Sequence, residues 1–259
     1  ELGPVNLTYI YGKFLQHDRK PLTAISEVME QIIRHLLTLP HRELSDFKES
    51  LKGMLGDDIQ IISYVCPYAQ NLFGQQEMRF EGDYPRLKYR IKRTIYQFLL
   101  MVSQVLFPLF ICIDDVHWAD EPSLDSIDSI LRDIESLNLF LVLAFRDNNK
   151  DCLRKIKSLT QLKRKKHTDI KLDTFSEQDI VAQLTSAFSE QMQGIEYSAR
   201  IIYGLSLGNP LYINEIIDIF TKKEILTYST EKNEWTIQTE KINSIALPKS
   251  VEEAFSQRI

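Results

Sequence analysis

The chain has little cysteine: three residues in 259, Cys66, Cys112 and Cys152, far apart and odd in number. That excludes a disulfide framework, and the spacing offers neither a metal clip nor a redox pair. Cys112 lies inside an apolar run and is expected as a small core residue of an intracellular, cytoplasmic protein in a reducing compartment. Long apolar runs are missing too. No stretch approaches the ~20 residues that cross a bilayer, and the N-terminus lacks the charged-then-apolar order of a signal peptide. A basic excess is also absent. With 31 Lys and Arg against 36 Asp and Glu, the formal charge is -5, which argues against a dedicated nucleic-acid binder. His17, His35, His41 and His167 show no convergent ligand spacing, so no zinc site is expected. Nor is there a Gly-x-Ser-x-Gly element or a cysteine setting that would mark a nucleophile.

What is present is an ordinary globular composition, 44% hydrophobic and 26% charged, in a chain long enough for a large domain with a smaller appendage. NLTYIYGKF, residues 6–14, is rich in aromatic and β-branched types and predicts a strand. In residues 21–40, Ile25, Val28, Met29, Ile32, Ile33, Leu36 and Leu37 fall on one helical face, and Pro40 ends the helix. Residues 41–85 give mixed signals and are expected as an irregular helical insert. Residues 86–106 predict a long helix that buries Leu87, Ile91, Ile95, Phe98, Leu99 and Val102.

The continuous apolarity of 109–113 predicts a strand buried on both faces, as in parallel sheets, with Pro108 tolerated at its start. Leu124, Ile127, Ile130, Leu131 and Ile134 share the face of a further helix. Residues 138–147 repeat the pattern of an apolar strand closed by charge. In 168–173, Ile170 and Leu172 alternate with polar neighbours, as in an edge strand. Strands alternating with helices indicate an α/β fold with a parallel sheet. From residue 175 helices dominate. Ser176 and Asp179 read as a capping box, helices are expected near 196–206 and 211–223, a hairpin near Lys232 and Asn233, and a last helix opening at Ser250 with Glu253. The expected organisation is a core over 1–174, with its insert near 41–85, and a helical region with a hairpin over 175–259. Glu1 is not a start methionine, and both ends look cut from a longer protein.

LFPLFICIDDVHWADEPSL, residues 106–124, ends a buried strand on two adjacent carboxylates, Asp114 and Asp115. Charge at such a place costs free energy unless a partner meets it. One answer is bland: both acids cap loop N–H groups, as Asp often does. The other is chemical. Ligands of open parallel sheets bind beyond the carboxyl ends of the strands, where one carboxylate holds a hydrated Mg²⁺ and its neighbour orients or deprotonates a water. Arg146, with Asp147 at the end of the next strand, is placed to contact a terminal phosphate. His117 is read as a loop residue held by packing, and Trp118 as an anchor of that loop against the core rather than a platform for adenine. Lys163 to Lys166 read as a solvated connector.

ICIDDVHWADEPSLDSI resembles the Walker B strand and following segment of the STAND branch of AAA+ P-loop ATPases. AFRD resembles that family's sensor strand, with Arg146 at the sensor position. GLSLGNPLYINEI resembles the segment of its helical lid that packs near adenine, here Gly208, Asn209 and Pro210. The terminal LPKSVEEAFSQRI resembles the start of a following helical or winged-helix region. The resemblance covers most of the chain. It implies a P-loop NTPase-type parallel sheet and a helical lid, with ATP and Mg²⁺ as cofactors. It further implies Asp114 on the metal, Asp115 and Arg146 in catalysis, and a regulatory output passed to neighbouring Ser/Thr kinase, GAF or histidine kinase domains, with self-association possible. One element departs from it. The phosphate loop Gly-x-x-x-x-Gly-Lys-Ser/Thr is absent, and Gly12-Lys13, followed by Phe14, does not supply it. By the family's sheet order, the strands run 168–173, the missing one, 138–145, 109–113 and 6–14. The chain alone is therefore expected to hydrolyse ATP poorly or not at all. The alternative function is a degenerate, nucleotide-independent scaffold that offers surfaces to partners.

Overall fold

The structure is a computed structural model and describes residues 7–17, 20–75, 83–146, 168–188, 194–229 and 234–242. The chain divides into two compact units, Glu1–His167 and Thr168–Ile259. The first is built on a parallel sheet ordered β1 (Thr8–Lys13), β2 (Leu109–Asp114), β3 (Leu139–Leu143). Ile10 pairs with Ile111 and Ile111 with Leu141, and at the carboxyl end Lys13 pairs with Asp114. This neighbour order is the one the resemblance implies for its three corresponding strands.

The helices form where periodicity predicts them. Helix α1 (Thr23–Leu36) buries Ile25, Val28, Met29, Ile32, Ile33 and Leu36 along one stripe. Residues 41–73 contain α2 (His41–Leu55), α3 (Ile59–Val65) and the single turn α4 (Gln70–Phe73). They are not an appendage, because Phe47, Leu51, Ile61, Ile62 and Leu72 belong to the same core as the sheet. Helix α5 (Tyr84–Val105) opens on Asp83, whose carboxylate accepts the Arg86 N–H at 3.2 Å, with Pro85 in its first turn. It buries Ile91, Ile95, Phe98, Leu99 and Val102. Helix α6 (Glu121–Arg132) is capped by Asp120, which accepts from Ser123 N–H and also from Leu22 N–H at the start of α1. One loop carboxylate thus ties two helix beginnings together.

Helices α1, α5 and α6 meet on one face of the sheet, around Ile111, Ile113, Leu139 and Leu141. This corrects the expectation that β2 is buried on both sides. Its residues alternate buried and half-buried. The second face carries Tyr9, Phe110 and Phe140 in a stacked row, with ring centroids 5.5 and 5.2 Å apart. Tyr9 is 53% and Phe140 63% exposed. The run is apolar on both sides, but the described helices cover only one. Cys112 lies on this second face, half-buried rather than in the core.

The outer edge of β1 is closed by side chains of α1. The Gln31 amide accepts from Tyr11 N–H and donates to Tyr11 C=O, and Glu27 accepts from Lys13 N–H. Such pairing blunts an otherwise open strand edge. Gly12 lets α1 come this close, since a Cβ there would sit 2.8 Å from the Ala24 carbonyl oxygen.

The second unit contains α7 (Glu177–Phe188), α8 (Ile195–Ser206), α9 (Pro210–Lys222) and an antiparallel pair, β4 (Leu226–Ser229) with β5 (Glu234–Ile237). Ser176 and Asp179 form the predicted reciprocal cap: Asp179 N–H donates to Ser176 Oγ, and Ser176 N–H to the Asp179 carboxylate. Ile180, Leu184, Ile202, Ile213, Ile216 and Phe220 form its core. Residues 168–173 are not a strand. They form no ladder among the described residues, and Ile170 and Leu172 are 79% and 90% exposed. Alternation alone does not make a strand where no neighbour takes up its backbone groups. Asp147, Cys152, Lys163 to Lys166, His167, the turn at Lys232 and Asn233, and the helix expected at Ser250 and Glu253 lie outside the described residues.

Candidate functional site

A strand's side chains alternate between faces, so the parallel register decides what meets the two acids. With Lys13 directly opposite Asp114, the residues Tyr11, Lys13, Cys112 and Asp114 share one face of adjacent strands. They converge at the carboxyl crest of the sheet. Asp114 Oδ2 accepts the Tyr11 hydroxyl at 2.9 Å, and its Oδ1 accepts the Asp115 N–H at 2.7 Å. The Lys13 ammonium lies 3.1 Å from Asp115 Oδ2 and 3.8 Å from Asp114 Oδ2. Asp114 and Asp115 are partly accessible, with side-chain exposures of 34% and 21%.

A lysine of the adjacent strand therefore stands beside both acids as a cationic partner. The hydrogen bond to Asp115, then the charges of Asp115 and Asp114, hold the Lys13 ammonium above the ordinary lysine range. A raised lysine pKa means that this pairing is fully present below the unfolded-state value and lost as pH rises through the folded one, well into the alkaline range. Burial, followed by the hydrogen bond to Asp114, likewise raises the Tyr11 phenol.

Asp115 itself has φ 53° in the left-handed region. Asp and Asn tolerate that region better than other residues with a Cβ. The turn starts a short 3-10 segment, Val116–Trp118, which is fastened to β3 by Val116 N–H donating to the Ala144 carbonyl at 3.0 Å. His117 is buried as expected. Its Nδ1 accepts the Arg146 N–H at 3.4 Å and lies 3.8 Å from Asp115 Oδ1, while the buried Nε2 has no partner among the described residues. Trp118 departs from its expected anchoring role. It is 40% exposed and leans on the His117 ring rather than inserting into the core.

Of the sequence-predicted residues, the structure brings Asp114, Asp115 and the backbone of Arg146 to one crest. The Arg146 side chain is exposed. Gly208, Asn209 and Pro210 lie in the second unit, and each has a local reason for its identity. Gly208 has φ +77°, and its carbonyl accepts the Phe175 N–H. Asn209 caps α9 by accepting from the N–H groups of Leu211 and Tyr212, and Pro210 occupies the first turn, where its missing N–H costs nothing. Tyr11 and Lys13 were not singled out by sequence reasoning. Gly12-Lys13 reads in the sequence only as a failed phosphate loop, whereas the period of two along β1 and β2 is the signal that points to them.

No family model matches the chain, and no solved structure matches it. Two curated relatives do. A peroxide stress-activated histidine kinase, mak2, of Schizosaccharomyces pombe is 22% identical over 258 residues, covering 91% of this chain and 11% of that protein. Hybrid signal transduction histidine kinase G of Dictyostelium discoideum is 29% identical over 115 residues, covering 44% of this chain and 3% of that protein. The chain thus spans a small part of the length of the relatives it matches. No described helix is long and apolar enough to cross a membrane. The chain is similar to segments within signal-transduction histidine kinases.

Proposed function

We propose that the chain is an ATP-binding and hydrolysing regulatory module of a multidomain signal-transduction protein. The observation that carries this reading is the Asp114–Asp115 pair at the carboxyl end of the middle strand of a parallel sheet, the edge at which open α/β sheets take ligands. The donor set fits magnesium. Two partly accessible carboxylates suit an ion that keeps most of its waters and takes one or two protein oxygens beside substrate phosphates. When bound, Mg-ATP supplies the transferable phosphoryl group and screens its charge.

Asp114 would hold the ion, and the Tyr11 hydroxyl fixes the orientation of its carboxylate. Asp115 would orient a water and accept its proton. Arg146 would meet the terminal phosphate. Contact of Gly208, Asn209 and Pro210 with adenine rests on the family resemblance. The names of the two relatives support a signalling context, in which nucleotide state is passed to neighbouring kinase or GAF domains or to a second copy. One observation favours a second reading, the nucleotide-independent scaffold: Lys13 already partners the acids.

The test is ATP affinity with and without Mg²⁺, measured by titration calorimetry on the full-length protein. Binding is expected to tighten with Mg²⁺ and to lose that dependence in Asp114→Ala. Affinity indifferent to both would leave the scaffold.

A further inference from the structure

We propose that Lys13 is a built-in counter-cation of the acid pair, which a divalent cation must displace to bind. The inference rests on the reading of the Asp114–Asp115 crest as a cation site and adds a competitor that belongs to the chain. Three observations carry it. The register sets Lys13 opposite Asp114 on the same sheet face, so the ammonium meets the acids without a distorted backbone. The strand beneath it is held in place, since Glu27 accepts the Lys13 N–H and Gly12 packs against α1. And the two carboxylates are not equivalent. Asp114 is occupied by Tyr11 O–H and Asp115 N–H, whereas the ammonium is closer to Asp115.

The charges then decide the behaviour. Two ionised carboxylates carry two negative charges, and Lys13 cancels one of them. A divalent cation arriving with Lys13 in place meets a like charge within hydrogen-bond distance of Asp115, and like charges at that range oppose each other's binding. An ammonium on a flexible four-carbon stem, 44% exposed, can leave without moving the backbone. Lys13 therefore lowers the affinity of the free crest for a metal ion.

The test is titration of the 259-residue chain with Mn²⁺ alone, read by the loss of the free-ion electron paramagnetic resonance signal. Wild type is compared with Lys13→Met, Lys13→Arg and Asp115→Asn, and thermal melts confirm that each variant folds. Lys13→Met is expected to bind Mn²⁺ about twofold to fivefold more tightly than wild type, the scale of one partly exposed charge pair. Lys13→Arg should stay near wild type, which separates charge from bulk, and Asp115→Asn should weaken binding. Equal affinity of wild type and Lys13→Met would overturn the role of Lys13 and leave the cation site standing. No Mn²⁺ binding by any variant would overturn both.

Discussion

Gly208→Ala is expected to unfold the helical unit at a markedly lower denaturant concentration, with a loss on the order of 3 kcal/mol or more. Two costs coincide at this position. Its φ of +77° lies where a residue with a Cβ is strained, and an added Cβ would stand 2.1 Å from the Phe175 carbonyl oxygen. The obstacle is backbone, so no rotamer change relieves it. The Phe175 N–H to Gly208 C=O hydrogen bond of 2.8 Å would break as the two segments part. A loss of this size is a large share of the margin that holds a small unit folded. Trp235, which packs edge-on to Phe188 within that unit, reports the transition. In a Trp118→Phe background its fluorescence isolates the second unit during urea unfolding. An unchanged midpoint would mean that the Gly208 turn is not the close contact described.

On the proposed ATPase reading, Asp115→Asn in the full-length protein is expected to lower ATP turnover by about 100-fold or more, the usual contribution of a positioned general base, while Mg-ATP affinity changes only severalfold. Asparagine is the informative replacement because Asp115 sits at φ 53°, and Asn keeps the left-handed preference that alanine lacks. The turn into Val116–Trp118, with its bond to Ala144, is therefore preserved. What is removed is the charge that meets Lys13 and would take the proton of the attacking water. Single-turnover hydrolysis together with equilibrium nucleotide binding separates the two effects. Equal losses in affinity and rate would assign Asp115 to ligand binding instead.

The sheet and its helices were legible because their physical causes are local. A stripe from Ile25 to Leu36 demands one face to bury it, and Leu109 to Ile113 demands a covered strand. Asp114 and Asp115 were legible for the same reason, as charge abruptly closing an apolar run. What escaped depends on contacts distant in sequence. The partnership of Lys13 with Asp115 follows from a parallel register across about a hundred residues, which no local pattern encodes. The exposed faces of Tyr9 and Phe140 show the complementary failure, since apolarity states what a residue prefers to touch and not whether a helix is there to touch it. Residues 168–173 and Trp118 fail alike. Ile170 and Leu172 alternate without a neighbouring strand, and an aromatic ring after the acids rests on His117 rather than in the core. In Gly208-Asn209-Pro210 the sequence pattern marks a helix start that its own backbone geometry accounts for.

Nucleotide binding at the crest is tested most directly by paramagnetic broadening of amide resonances by Mn²⁺-ATP on the isotope-labelled full-length protein. Broadening centred on Tyr11, Lys13, Asp114, Asp115 and Val116, at the carboxyl crest of β1 and β2, is the predicted result. Saturating Mn²⁺-ATP that leaves those resonances sharp would contradict it.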